Sequence, residues 1–163
     1  MKKLFFILLA VLVLIAGCGD EPPKEQPKQT SAFNMDAKTF IEEYNKIAKD
    51  EVKIKEPKIE KGKKSTYSCR FKNKIEIMVV ETDNKVESVN TFTFLPYDEK
   101  LFISVHDAVI GVLNSEVKNR TAVVFQLYDP NIKGFKGSIT HGNTKYITEA
   151  KESVVTINAK PEK

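Results

Sequence analysis

The 163-residue chain has no tryptophan, two cysteines, two histidines and two arginines, Arg70 and Arg120. It also lacks the short motifs that announce common chemistries. There is no phosphate-cradling glycine loop, no His-Glu-x-x-His, no Cys-x-x-Cys and no Gly-x-Ser-x-Gly. His106 is expected at the edge of an apolar helical stripe, where its neighbour Asp107 does not face it, and His141 in a hairpin turn. Two histidines so far apart do not make a metal site without further ligands, and neither a metal nor a cofactor is expected. The acidic pairs Glu42-Glu43, Asp98-Glu99 and Glu149 with Glu152 fall on helix surfaces or in loops, where solvation and helix dipoles account for them. No enzymatic activity is expected from such a chain. Its net charge is only +4, too weak to argue for nucleic acid as a partner. Its longest apolar run, Leu4–Ala16, has 13 residues, against the roughly 20 a helix needs to cross a bilayer.

That short run is nonetheless placed with purpose. Lys2 and Lys3 precede it, and Gly17 and Cys18 close it, which is the layout of a secretory signal. The boundary Ile15-Ala16-Gly17-Cys18 resembles the lipobox of bacterial lipoproteins. The resemblance implies cleavage before Cys18, a lipid thioether on its sulfur, and residence on the extracytoplasmic face of the cell membrane. Two acyl chains suffice for stable anchoring, at about 0.8 kcal/mol per buried methylene. Loss of residues 1–17 would leave 146 residues with a net charge of +2. The abundance of Lys over Arg is similar to lipoproteins of low-GC Gram-positive bacteria. With Cys18 lipidated, no intramolecular disulfide is possible.

Residues 18–32, which include GDEPPKEQPKQTSA, are proline-rich and charged and read as a tether. Its 14-residue polar part reaches on the order of 45 Å when extended. Residues 33–160 read as one α+β domain. Asn34–Lys49 places Ala37, Phe40, Ile41, Tyr44 and Ala48 on one helical face, with Asn34 or Asp36 as cap and Phe33 as staple. Thr66–Lys72, Ile75–Glu81 and Val86–Leu95 have the β-branched and aromatic content of strands, joined by hairpin bends at Asn73-Lys74 and Thr82–Lys85. Asp98–Asn114 carries a broad apolar helical stripe. Thr121–Tyr128 reads as an apolar strand. Ser138–Thr140 and Lys145–Thr148 pair across His141-Gly142-Asn143, and Ser153–Asn158 is a last strand.

The expected plan is two helices packed on one face of an antiparallel sheet, in the order α-β-β-β-α-β-β-β. It resembles the two-layer β-lactamase-inhibitor-like and TATA-binding-protein-like folds. DAKTFI, Asp36–Ile41, matches DEKLFI, Asp98–Ile103, at four of six positions, a hint of internal duplication. The strands do not align at the same offset.

Two features of the domain bear on function. Cys69 alternates with Tyr67 and Phe71 and is expected to be a buried packing residue. Lys53–Lys74 holds nine cations against Glu56 and Glu60, a net +7, so the remainder of the processed chain is acidic at −5. Within it, Lys61, Lys63, Lys64, Arg70 and Lys72 are the candidate contacts for an anionic partner, or else a solvated face that protects a sheet edge. The resemblance to small surface lipoproteins implies a lipid-anchored module that binds or inhibits another envelope or incoming protein. The alternative is a module that binds an anionic wall polymer or lipid headgroups through the basic stretch.

Overall fold

The structure is a computed structural model and describes residues 32–127 and 136–162. Cys18, the signal and most of the tether lie outside the described residues. Helix α1 spans Ala37–Ile47, and a single 3-10 turn follows at Asp50–Val52. Four strands come next: β1 (Lys58–Glu60), β2 (Ser65–Phe71), β3 (Ile75–Thr82) and β4 (Lys85–Phe94). Helices α2 (Glu99–Leu113) and α3 (Arg120–Leu127) precede β5 (Lys136–His141), β6 (Thr144–Ala150) and β7 (Val154–Pro161). All seven strands form one antiparallel sheet in the order β1-β2-β3-β4-β7-β6-β5.

The helices start where short carboxylates meet free backbone donors. Asp36 accepts from the Thr39 N–H at 2.7 Å, and Asp98 from the Leu101 N–H at 3.0 Å. The Glu81 carboxylate adds a bond from the Ala37 N–H at 2.6 Å, tying the start of α1 to the end of β3. After α1, the Asn45 amide clasps the backbone of Ile54 in both directions, at 2.7 and 2.8 Å. That side chain does for an irregular segment what a strand neighbour would do.

Three helices, not two, cover the sheet. Helix α1 lies against β3 and β4, α3 against β5 and β6, and α2 runs between the other two helices. The composition of Thr121–Tyr128 favours a strand, because Thr121, Val123, Val124 and Phe125 are β-formers. The described part of it is helical because only Val123, Val124 and Leu127 are buried, a one-sided helical spacing, while Phe125 is 51% exposed. Asn119 accepts from the Ala122 N–H at 3.2 Å, and Arg120 forks onto Asp107 of α2 at 3.1 and 3.2 Å, so tertiary contacts override propensity. The other departure is β1, a three-residue edge strand inside the basic connection.

The core sits between the helices and one face of the sheet. Phe40, Tyr44, Leu101, Val105 and Ile110 meet Ile75, Ile77, Val79, Val155 and Ile157 there. Gly111 lets α1 and α2 close on each other: a Cβ on it would lie 2.8 Å from Ile47 Cδ1. Two buried hydroxyls, of Tyr44 and Thr93, have no hydrogen-bond partner among the described residues.

Candidate functional site

The basic stretch changes character once folded. Lys61 and Lys63 sit in the exposed connection between β1 and β2, with no carboxylate within ion-pair distance among the described residues. Lys64 pairs with Glu87 at 2.6 Å, and that bond holds the Glu87 carboxyl below its usual range. Arg70 pairs with Glu76 at 2.5 Å and lies over the Phe94 ring, 5.0 Å from its centre. Lys72, in the turn after β2, reaches Glu51 at 2.9 Å. Glu51, Glu76 and Glu87 all lie outside Lys53–Lys74, so folding brings three acids to three of the five candidate cations. The five also divide between a loop, the sheet and a turn.

His106 belongs to the core. It is 2% exposed, rather than at the edge of the α2 stripe. Its Nδ1 lies 2.8 Å from the Phe102 carbonyl, which only accepts, so Nδ1 carries the proton. Nε2 then accepts from the Thr91 hydroxyl on β4, also at 2.8 Å. Burial pushes the imidazole down to about 4, only partly opposed by the Phe102 carbonyl. Asp107 turns away to Arg120, as neighbours on a helix must, so the two form no catalytic dyad. His141 ends β5 and meets Gln126 of α3 at 3.3 Å.

Cys69 is a free thiol, half-buried instead of fully so. It faces the core with Tyr67, but β2 lies next to the sheet edge, where the helices give less cover. Burial, and then the nearby Glu76 carboxylate, push the thiol up, away from the reactive thiolate. Among the described residues no group of three or more His, Cys, Asp or Glu is placed to hold a metal. Two shallow clefts have volumes of about 260 and 230 Å³. One is lined by Asn114–Val117 with Gly142 and Asn143, the other by Ile47, Ser104 and Asp107 among others. The base of the first is a structural clasp. With its oxygen turned to the Tyr146 hydroxyl at 2.6 Å, the Asn114 amide also donates to the His141 carbonyl at 2.8 Å.

What stands out is the second face of the sheet. Register and alternation set Met78, Val80, Phe92, Phe94, Ile147 and Val154 opposite the core side. All six are partly exposed, and none belongs to the core cluster or packs against it. No described helix covers them. Across the face runs a row of mixed character, one residue per strand: Ser68, then Met78, Asn90, Asn158, Ile147 and Ser138. Asn158 donates to Asn90 across the central β4–β7 pair, and Asn90 donates to Ser88 at 3.2 Å. Lys58–Glu60, Lys64–Glu87 and Arg70–Glu76 fringe the face on the β1–β4 side as closed pairs. Apolar and amide groups thus lie at the centre of this face, with closed charge pairs along its β1–β4 side. The alternation in Val86–Leu95 could have exposed this face to sequence reading, because Phe92 and Phe94 fall on the side opposite Thr91 and Thr93. A scan against family models and searches of curated proteins and of solved structures found no match to this chain.

Proposed function

We propose that the chain is a lipid-anchored binding module on the extracytoplasmic face of the cell membrane, recognising another envelope or incoming protein through the uncovered face of its sheet. The observation that carries this reading is the set of six partly exposed apolar side chains on a sheet face away from the core. A preformed sheet presents them without an ordering cost, unlike a loop. The Ile15–Cys18 boundary supports the anchor, and the proline-rich segment after it supplies reach. The alternative, binding to anionic polymer, keeps support from Lys61 and Lys63 but loses it at Lys64, Arg70 and Lys72, whose charges are matched inside the fold. No catalytic role is assigned to any residue.

Photo-crosslinking from the full chain in its native membrane tests the reading. A photoreactive residue at Met78 or Phe92 is expected to yield a defined protein adduct, and one at the exposed Lys38 of α1 none. Absence of adducts from both sheet positions overturns the proposal. For the anchor, Cys18→Ala is expected to release the protein from membranes or leave an unprocessed precursor; wild-type fractionation and migration would refute it.

A further inference from the structure

The charges on the uncovered face are not all matched. Strand register sets Lys145 of β6 directly opposite Lys160 of β7. Alternation places both on the uncovered side: Lys145 lies between the buried Thr144 and Tyr146, and Lys160 follows the buried Ala159. Like charges directly opposed on adjacent strands destabilise a sheet. Among the described residues neither lysine has a carboxylate within ion-pair distance, and Glu162, two residues beyond Lys160, forms no ion pair. Elsewhere on the same face Lys58, Lys64 and Arg70 each meet an acid. So the fold neutralises much of the basic stretch that the sequence displays and builds a second basic site from two lysines 15 residues apart.

From this we infer that the Lys145–Lys160 pair is the contact point for a carboxylate carried by the protein partner, an inference that rests on the sheet-face reading above. Ile147 and Asn158 form the adjacent row of the face. The partner segment therefore presents an acidic side chain beside an apolar one. Bringing a carboxylate between two unmatched ammonium groups removes their repulsion and adds two attractions at once, which makes this corner a determinant of partner choice.

Two substitutions with equal charge change separate a built site from general attraction: Lys145→Glu and Lys61→Glu. The probes are an immobilised glutamate–tyrosine copolymer and inorganic polyphosphate, with the detergent-solubilised full chain. Lys145→Glu is expected to weaken copolymer retention about tenfold and Lys61→Glu much less. Because Glu at 145 would face Lys160 across the strands, the same variant is expected to melt no lower than the parent, which excludes unfolding as the cause. Equal losses in the two variants overturn the inference. So does a preference for polyphosphate that Lys145→Glu abolishes, since the partner chemistry is then phosphate. Crosslinking from Met78 distinguishes the inference from the reading beneath it. Undiminished adducts in Lys145→Glu overturn this inference alone; absence of adducts in the unaltered chain overturns the binding face with it.

Discussion

The buried imidazole of His106 is expected to make this domain sensitive to mild acid. The ordinary histidine value is near 6.5, and burial holds His106 at about 4. Between those values the unfolded chain binds a proton that the folded chain refuses, so stability falls as pH drops through that window. Each pH unit crossed there costs at most about 1.4 kcal/mol, so the loss from pH 7.5 to pH 4.5 should be about 2–3 kcal/mol. His106→Gln is expected to flatten the dependence by that amount in denaturant titrations at the two pH values; an unchanged slope would mean that His106 is not the responsible group. Tyr44 invites the opposite test. Its hydroxyl is buried without a partner among the described residues, and burial raises the phenol far above its usual range. Tyr44→Phe removes an unsatisfied group and keeps the ring, so stability should hold or rise by up to about 1 kcal/mol. A loss larger than that would reveal a hydrogen bond at that oxygen.

At the level of elements, turn geometry decides where strands can join. The β5–β6 hairpin turns on Gly142 at φ +54°, where a Cβ would also lie 2.7 Å from the end of the Asn114 side-chain amide. Gly142→Ala should therefore cost about 1–2 kcal/mol from the left-handed backbone alone, with more from displacing Asn114. Thermal melts that show no loss would mean the hairpin re-forms with another turn. Most of the elements were legible from sequence: both long helices, the cap of the first narrowed to Asn34 or Asp36, and six of the strands with ends displaced by a few residues at most. Those signals are local, since periodicity and capping need no knowledge of neighbours. The α3 segment was not legible, because Arg120 finds Asp107 only after α2 has folded. His106 escapes sequence reading for a similar reason. A stripe gives the angle of a side chain about its helix, but the depth of burial depends on how closely β4 approaches. The basic patch was the least legible feature. Charge counted along a chain ignores what the sheet sets opposite, and here β3, β4 and the 3-10 turn deliver Glu76, Glu87 and Glu51.

The whole molecule has a symmetric connectivity. With β1 set aside, the order β2-β3-β4 is mirrored by β7-β6-β5, so each half runs from helix to three-stranded meander and the two third strands meet at the centre. The offset between halves grows from 62 residues at the caps Asp36 and Asp98 to 71 at Ser65 and Lys136, which is why the strands do not align with the helices. The charge pattern can be tested at this scale as well. Lys61→Glu with Lys63→Glu should leave stability within about 0.5 kcal/mol, since both side chains are exposed and lie outside every described ion pair. Adding Lys64→Glu sets a carboxylate against Glu87 and should cost up to about 1 kcal/mol more, an ordinary value for a half-exposed pair. If the double variant already unfolds in thermal melts, the loop lysines are structural.

The central place of β7 has a consequence for how the protein is made. The strand that emerges after the other six is the one that joins the two halves. Until Pro161 has left the ribosome, β4 has a bare edge and the β5–β6 hairpin can rest on α3 but has no strand joining it to the first half. Pairings between residues as distant as Val89 and Ala159 are the slow ones to form. The nascent sheet therefore stays unclosed until its seventh strand is complete. On the extracytoplasmic location proposed above, the chain crosses the membrane as an extended thread, and that delay keeps it exportable. By the same logic, a chain cut short at residue 153 should never fold.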